Sequence, residues 1–250
     1  MCATCGCSDD ASVRVIDLHV PATHEHGHTH PHAHESTTVS LEQRVLAKND
    51  ALAERNRGWL EARRVAAVNL MSSPGSGKTT VLVRTVHDLG AEVALYVVEG
   101  DQETTLDAQR IEAAGCPVVQ VNTGAGCHLD AWMFGEALHT LDPNGGVVLI
   151  ENVGNLVCPA LFDLGENGRV VIMSVTEGVD KPRKYPHMFR SANLVLLNKI
   201  DLLPYVDFDV DAFHRDLALV NPNAQVLHVS ATAGDGLDAW YAWLRAQPAT

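Results

Sequence analysis

The segment Ser72-Ser73-Pro74-Gly75-Ser76-Gly77-Lys78-Thr79-Thr80 stands between an apolar run, Val65 to Met71, and a helical stretch, Val81 to Leu89. No other part of the chain constrains its fold so tightly. Backbone N–H groups at a helix N-terminus can wrap a phosphate only where small residues let the chain approach closely. Gly75, Ser76 and Gly77 meet that need. Lys78 then supplies a point charge for β- and γ-phosphate oxygens, and the Thr79 hydroxyl a ligand for Mg²⁺, with Thr80 following. The pattern is G-x-x-x-x-G-K-[ST] with Ser72 in place of the first glycine. It demands a strand, a loop and a helix in that order.

The remaining pattern supplies the sheet around that unit. Apolar runs at Glu92 to Val98, Pro117 to Val121, Gly146 to Ile150, Val170 to Val175, Leu194 to Leu197 and Val226 to Val229 alternate with helical stretches. Several are apolar on both faces, as strands of a buried sheet are. The expected class is therefore α/β, a mostly parallel twisted sheet flanked by helices. Upstream, Ser40 and Gln43 form an S-x-x-Q capping box, and Leu41, Val45, Leu52 and Trp59 recur at helical spacing. This predicts a leading helix over 39–64. Residues 1–38 are rich in Pro, Thr, Ala and His and lack sustained apolar periodicity, so they read as a flexible tail ahead of a domain spanning 39–250.

Charge narrows the partners. A formal charge of −13 over 250 residues repels phosphate backbones, which argues against nucleic acid. No stretch approaches the roughly 20 apolar residues that span a bilayer, and the N-terminus opens on cysteines and acids instead of a signal sequence. The expected location is the cytoplasm, without membrane insertion.

A second motif, Asn198-Lys199-Ile200-Asp201, follows the Leu194 to Leu197 run. An N-K-x-D carboxylate accepts two hydrogen bonds from the N1–H and exocyclic amine of guanine, a donor pair adenine lacks. Ser230-Ala231-Thr232, after the last run, takes the place of the S-A-x loop that borders the base. Three motifs in this order favour GTP over ATP. Between them, Glu99-Gly100-Asp101-Gln102 and Glu151-Asn152-Val153-Gly154-Asn155 are candidate switches at strand ends. Gly154 can offer its N–H to a γ-phosphate. Of Asp101 and Glu151, one orients the attacking water and the other serves Mg²⁺, in either assignment.

Metal-capable side chains form three groups. Cys127-His128 lies in one loop and Cys158 ends the second switch. Two thiols and an imidazole suit Zn²⁺ or Ni²⁺ but leave a tetrahedron open, to be closed by water or a second subunit. Cys116, at a strand start, reads as an ordinary small residue. Cys2-x-x-Cys5-Gly6-Cys7 places three thiols together, suited to square-planar Ni²⁺ or tetrahedral Zn²⁺. His24, His26, His28, His30, His32 and His34 alternate through the tail, a pattern for storing divalent metal.

Taken together, these motifs resemble the HypB family of hydrogenase nickel-incorporation GTPases over essentially the full length. Most specific are the Cys2/Cys5/Cys7 head, the His-rich tail, Asn69 to Thr80, Glu99 to Gln102, Cys127-His128, Glu151 to Pro159 and Asn198 to Asp201. The resemblance implies a GTPase of the signal recognition particle and MinD-like class that dimerises with nucleotide, and without a supplied arginine finger its turnover is expected to be slow. It implies delivery of Ni²⁺ to the large subunit of [NiFe]-hydrogenase, with a HypA-type partner. It also implies a tight nickel site at Cys2, Cys5 and Cys7, and a weaker Ni²⁺ or Zn²⁺ site at a dimer interface formed by Cys127, His128 and Cys158. The segment Asp180 to Pro186 resembles the family's lysine-bearing loop, so that Lys181 and Lys184 either approach nucleotide across the dimer or remain solvated. A urease-type nickel GTPase fits less well, because Cys127 is followed directly by His128 without an intervening proline. A CobW-type zinc GTPase and a nickel-storage protein with a vestigial GTPase are the other readings.

Overall fold

The structure, a computed structural model, describes residues 35–101, 105–124 and 126–247. Contacts divide the chain into two units, at residues 48 and 49. Among its described residues the first unit holds the opening of helix α1 (Glu35–Arg63). The second carries the rest of α1 and all that follows. The helix begins ahead of Ser40, which the capping pattern placed at its start. No Gly or Pro occurs between Glu35 and Arg57, so nothing in the backbone stops the helix from starting earlier. It ends at Arg64, whose φ of 56° turns the chain directly into the first strand.

Seven strands form one sheet: β1 (Val65–Ser72), β2 (Leu95–Asp101), β3 (Val118–Asn122), β4 (Gly146–Glu151), β5 (Gly168–Ser174), β6 (Leu194–Asn198) and β7 (Gln225–His228). Their order is β3-β2-β4-β1-β5-β6-β7, and every pairing is parallel. All seven expected runs are strands. β5 and β7 start one or two residues earlier than expected, and two strands start later, each for a local reason. β2 begins at Leu95 because the N–H groups of Glu92 and Val93 close the preceding helix on Leu89 O. β3 begins at Val118 because Pro117 has no N–H to give a ladder, although its carbonyl accepts from Val97 N.

Strand alternation sorts the core into two layers. Ala66, Val68 and Leu70 of β1 pack with Leu149 of β4 and Ile172 of β5 against α2 (Lys78–Leu89), α3 (Leu106–Ala113) and α8 (Leu237–Arg245). Val65 and Ala67, with Val148 and Ile150, face α1 and α4 (Ala131–Leu141). On the same side, Met71, Val171 and Leu197 meet α6 (Pro186–Ser191) and α7 (Val210–Val220). Every residue of β1 is buried, as a strand covered on both faces requires.

Helix α8 is bound to α2 by two polar contacts, one buried and one partly buried. Trp240, fully buried, donates from Nε1 to Thr85 Oγ1 at 2.8 Å, and that hydroxyl donates in turn to Val81 O at 2.7 Å. The Tyr241 hydroxyl donates to Asp88 at 2.7 Å. Trp240→Ala should lower unfolding free energy by about 3–5 kcal/mol, mainly through lost packing. Trp240→Phe, which keeps most of the ring volume, should cost about 1 kcal/mol. Denaturant midpoints at an unchanged m-value test both; equal losses would show that the hydrogen bond, and not the ring, holds the helix.

Candidate nucleotide and metal site

β1 occupies the centre of the sheet. The chain leaves it towards β2 on one side and later crosses to β5 on the other, so a crevice opens at the carboxyl end of β1. The phosphate-type loop lies there. Gly75 (φ 78°) and Gly77 (φ 91°) take left-handed conformations that side chains resist. A Cβ on Gly77 would also stand 2.6 Å from Asn198 Nδ2. That close approach is used: Asn198 Nδ2 donates to Ser76 O at 2.9 Å, while its Oδ1 accepts from Ala231 N at 3.2 Å. One amide therefore ties the glycine loop, the N-K-x-D segment and the Ser230-Ala231 segment together. Lys199 adds a bond from Nζ to Gly75 O at 2.7 Å. Ser230 accepts from Ala233 N at 3.0 Å, and Asp201 stands exposed on the 3-10 turn Ile200–Tyr205. Gly154 packs on the loop, where a Cβ would meet Pro74 at 3.3 Å.

Lys78 Nζ and Thr79 Oγ1 share a single acceptor, Glu151 Oε1, at 2.7 and 2.6 Å. Glu151 is 1% exposed, and its Oε2 has no hydrogen-bond partner. Glu99 stands opposite it in register on β2, equally buried, and its Oε2 is likewise unpartnered. Burial first, then the charges of Glu151 and Asp101, push the Glu99 carboxyl up to about 8. These groups line a cleft of about 450 Å³ together with the loop, Thr80 and Gly154. Carboxylate and hydroxyl oxygens crowded where water cannot solvate them form the hard donor set that Mg²⁺ takes, so the residues fit that ion.

Sequence reading missed two members of this site. Glu99 fell within a candidate switch but had no role; only the register pairing with Glu151 reveals its position. Glu177 lies outside every motif, yet its carboxylate accepts from Ser76 Oγ and Ser174 N, each at 3.0 Å, and from the Ser73 hydroxyl. Lys181 pairs with Glu177 at 3.3 Å, which links helix α5 (Lys181–Lys184) to the glycine loop. Lys184 pairs with Asp180 at 2.7 Å on the surface.

A separate cluster lies beside the second switch. Ligand atoms of Cys127, His128 and Cys158 all fall within 4.8 Å of one another. Cys127 and His128 come from the loop between β3 and α4, and Cys158 opens the 3-10 turn Cys158–Leu161. The two sulfurs are 2.8 Å apart, Cys127 Sγ donating to Cys158 Sγ, and neither is in a disulfide. A tetrahedral ion with bonds of about 2.3 Å holds two sulfurs about 3.8 Å apart, so binding would spread them by roughly 1 Å. The His128 ring stacks on Phe162 with centroids 3.9 Å apart. Burial, partly opposed by Asp130, holds His128 below its ordinary range and so in the neutral form that ligates metal. Cys116 is remote in role: its buried thiol is pushed up to about 11 and bonds to Leu95 O at 3.2 Å. Cys2, Cys5 and Cys7, with His24, His26, His28, His30, His32 and His34, lie outside the described residues. Among the described residues, no helix is long and apolar enough to cross a membrane.

A glycine loop on the central parallel strand, braced by an N-K-x-D segment, defines a P-loop nucleotide-binding protein. The profile of the CobW/HypB/UreG nucleotide-binding domain matches residues 66–228. The hydrogenase maturation factor HypB of Azotobacter vinelandii is 55% identical over 217 residues, covering 86% of this chain and 72% of that one. Among solved structures, HypB from Archaeoglobus fulgidus superposes with a TM-score of 0.75 at 42% identity, covering 80% of this chain and 98% of that one. HypB from Helicobacter pylori, in complex with nickel, gives 0.76 at 36%, covering 79% and 94%. The chain belongs to the CobW/HypB/UreG nucleotide-binding family and, within it, to the HypB proteins.

Glu99 makes a pH prediction. Its folded value near 8 lies above that of a free carboxyl, so the native state binds the extra proton and stability falls as pH rises from about 4.5 through 8. In a chelator, the melting temperature of the wild type should therefore drop more steeply between pH 6 and 9 than that of Glu99→Gln. Parallel profiles would show that Glu99 ionises freely.

Proposed function

We propose that the chain is a GTP-hydrolysing nickel metallochaperone that delivers Ni²⁺ to the large subunit of [NiFe]-hydrogenase. Residues 1–38 form a metal-binding tail, with tight Ni²⁺ capture at Cys2, Cys5 and Cys7 and storage along the alternating histidines. Residues 39–250 form the GTPase, working in the cytoplasm as a nucleotide- or metal-promoted homodimer with a HypA-type partner. The names of the relatives, hydrogenase maturation factors and a nickel complex, support this reading.

One observation carries the coupling of the two activities: a single segment starts at Glu151, which holds Lys78 and Thr79, and ends at Cys158, which lies against Cys127. Gly75, Ser76 and Gly77 offer backbone N–H groups to the phosphates. Asn198, Lys199, Asp201, Ser230 and Ala231 hold guanine, with Asp201 reading its donor pair. Thr79, with carboxylate support, would hold Mg²⁺, which would supply charge neutralisation for the transferred phosphoryl group. When GTP enters, Lys78 leaves Glu151 for the γ-phosphate, and Gly154 turns its N–H to the same group. Glu151, once Lys78 has left it, and Asp101 would divide two tasks, supporting Mg²⁺ and orienting the attacking water. The shift carries Cys158 away from Cys127, which changes the affinity of the Cys127–His128–Cys158 site for Ni²⁺ or Zn²⁺. Hydrolysis returns Lys78 to Glu151 and gives delivery a direction.

Two measurements test the parts. Asp201→Asn, which puts an amide donor where guanine needs an acceptor, should lower GTP turnover by at least about 100-fold and leave xanthosine triphosphate a substrate. Unchanged GTP preference would remove Asp201 from the base site. In a Cys2/Cys5/Cys7→Ala protein, Ni²⁺ titration should leave one thiolate-bound site, absent after Cys127→Ala or Cys158→Ala. Its affinity should differ between GDP and a non-hydrolysable GTP analogue. Binding confined to the tail and indifferent to nucleotide would instead mark a storage protein.

A further inference from the structure

Beneath the nucleotide cleft and the thiol cluster runs a buried polar network centred on Asn152, the residue after Glu151. Asn152 is fully buried, and its N–H is anchored to Leu70 O on the central strand at 3.1 Å. Its carboxamide reaches in two directions. Oδ1 accepts from Leu129 N at 3.1 Å and from Val153 N at 3.0 Å. Nδ2 donates to Asn69 Oδ1 at 3.2 Å. Asn69 in turn donates to Glu166 Oε1 at 3.3 Å, and Glu166 is held by Arg169 Nε and Leu164 N, each at 2.7 Å.

Both branches lead to the surroundings of one imidazole, that of His128. Leu129 follows His128 in the chain, so the first branch fixes the backbone that carries this ligand. The second reaches the loop containing Phe162, the ring stacked on His128. On the other side, Asn152 is joined by one peptide bond to the carboxylate that Lys78 and Thr79 share. The carboxamide is buried away from solvent with three partners, Leu129 N, Val153 N and Asn69 Oδ1, so it cannot move without breaking those bonds or taking the partners along. We propose that Asn152 is the positioning residue that transmits nucleotide state at Glu151 to the metal site at His128. The inference rests on the nucleotide-coupled metal site proposed above and names the group that couples it.

The test separates coupling from simple support. The full-length Cys2/Cys5/Cys7→Ala protein is titrated with Ni²⁺, followed by thiolate-to-nickel charge-transfer absorbance, once with GDP and once with a non-hydrolysable GTP analogue. The ratio of the two dissociation constants should be about 5- to 150-fold in this parent, whichever nucleotide tightens binding. In Asn152→Ala it should fall to within about twofold of one, while the site still binds Ni²⁺. Asn56→Ala is the control. Its buried amide supports the same loops, donating to Ala131 O at 2.7 Å and Leu164 O at 3.0 Å, but has no bond to the Glu151 segment. It should weaken Ni²⁺ equally with both nucleotides and keep the ratio. Should Asn152→Ala fail to fold, Asn69→Ala, which deletes the acceptor orienting the Asn152 amide, must lower the ratio in its place. A ratio kept in Asn152→Ala, or lost equally in Asn56→Ala, overturns the proposal. A ratio of one in the parent removes the underlying reading as well.

Discussion

The Glu151 carboxylate organises this protein's chemistry. It ends the strand beside the central one and takes both Lys78 and Thr79 on a single oxygen. An ammonium and a carboxylate buried together are stable only as partners, and removing one leaves an uncompensated charge at about 3–5 kcal/mol. A group that draws Lys78 away must therefore bring its own negative charge, and a cation that joins Glu151 must bring positive charge. Phosphate and a divalent metal do both together. On the proposed function, this exchange would let so close a pair sit in a nucleotide cleft.

The sheet makes the exchange consequential. Because β1 is central and covered on both faces, the glycine loop at its end rests on a support that does not yield. Asn198 and Glu177 hold that loop from two further directions, through Ser76 O and the serine hydroxyls. The segment after Glu151 runs from there past Gly154, which lies against Pro74, to Cys158, which lies against Cys127. On the proposed function, a change of partners at Glu151 would pass along this one segment to the thiols.

Much of this was legible in the residues. The seven strands, the loop from Ser72 to Thr80 and the N-K-x-D and Ser-Ala segments are written as contiguous patterns, and the structure brings these segments together. Cys127, His128 and Cys158 were grouped from their motif positions, and the fold gathers them. What the sequence hid are relations between strands. Glu99 faces Glu151 only through parallel register, and Asn69 reaches Asn152 only because β1 and β4 are neighbours. Glu177 caps the loop from a turn after β5, with no spacing rule to link it to Ser73 or Ser76. Ser40 shows the opposite limit: a local cap pattern gave way to a helix that had no residue to stop it.

Coupling between nucleotide and metal must run both ways, since both act through one equilibrium. The most direct measurement is the affinity of a non-hydrolysable GTP analogue for the Cys2/Cys5/Cys7→Ala protein, with the Cys127–His128–Cys158 site empty and then filled with Ni²⁺. The account predicts that nucleotide affinity changes, and by the same factor by which that nucleotide changes Ni²⁺ affinity relative to the nucleotide-free protein. Equal nucleotide affinity with and without metal would contradict it, and would leave two sites that share a segment without sharing a purpose.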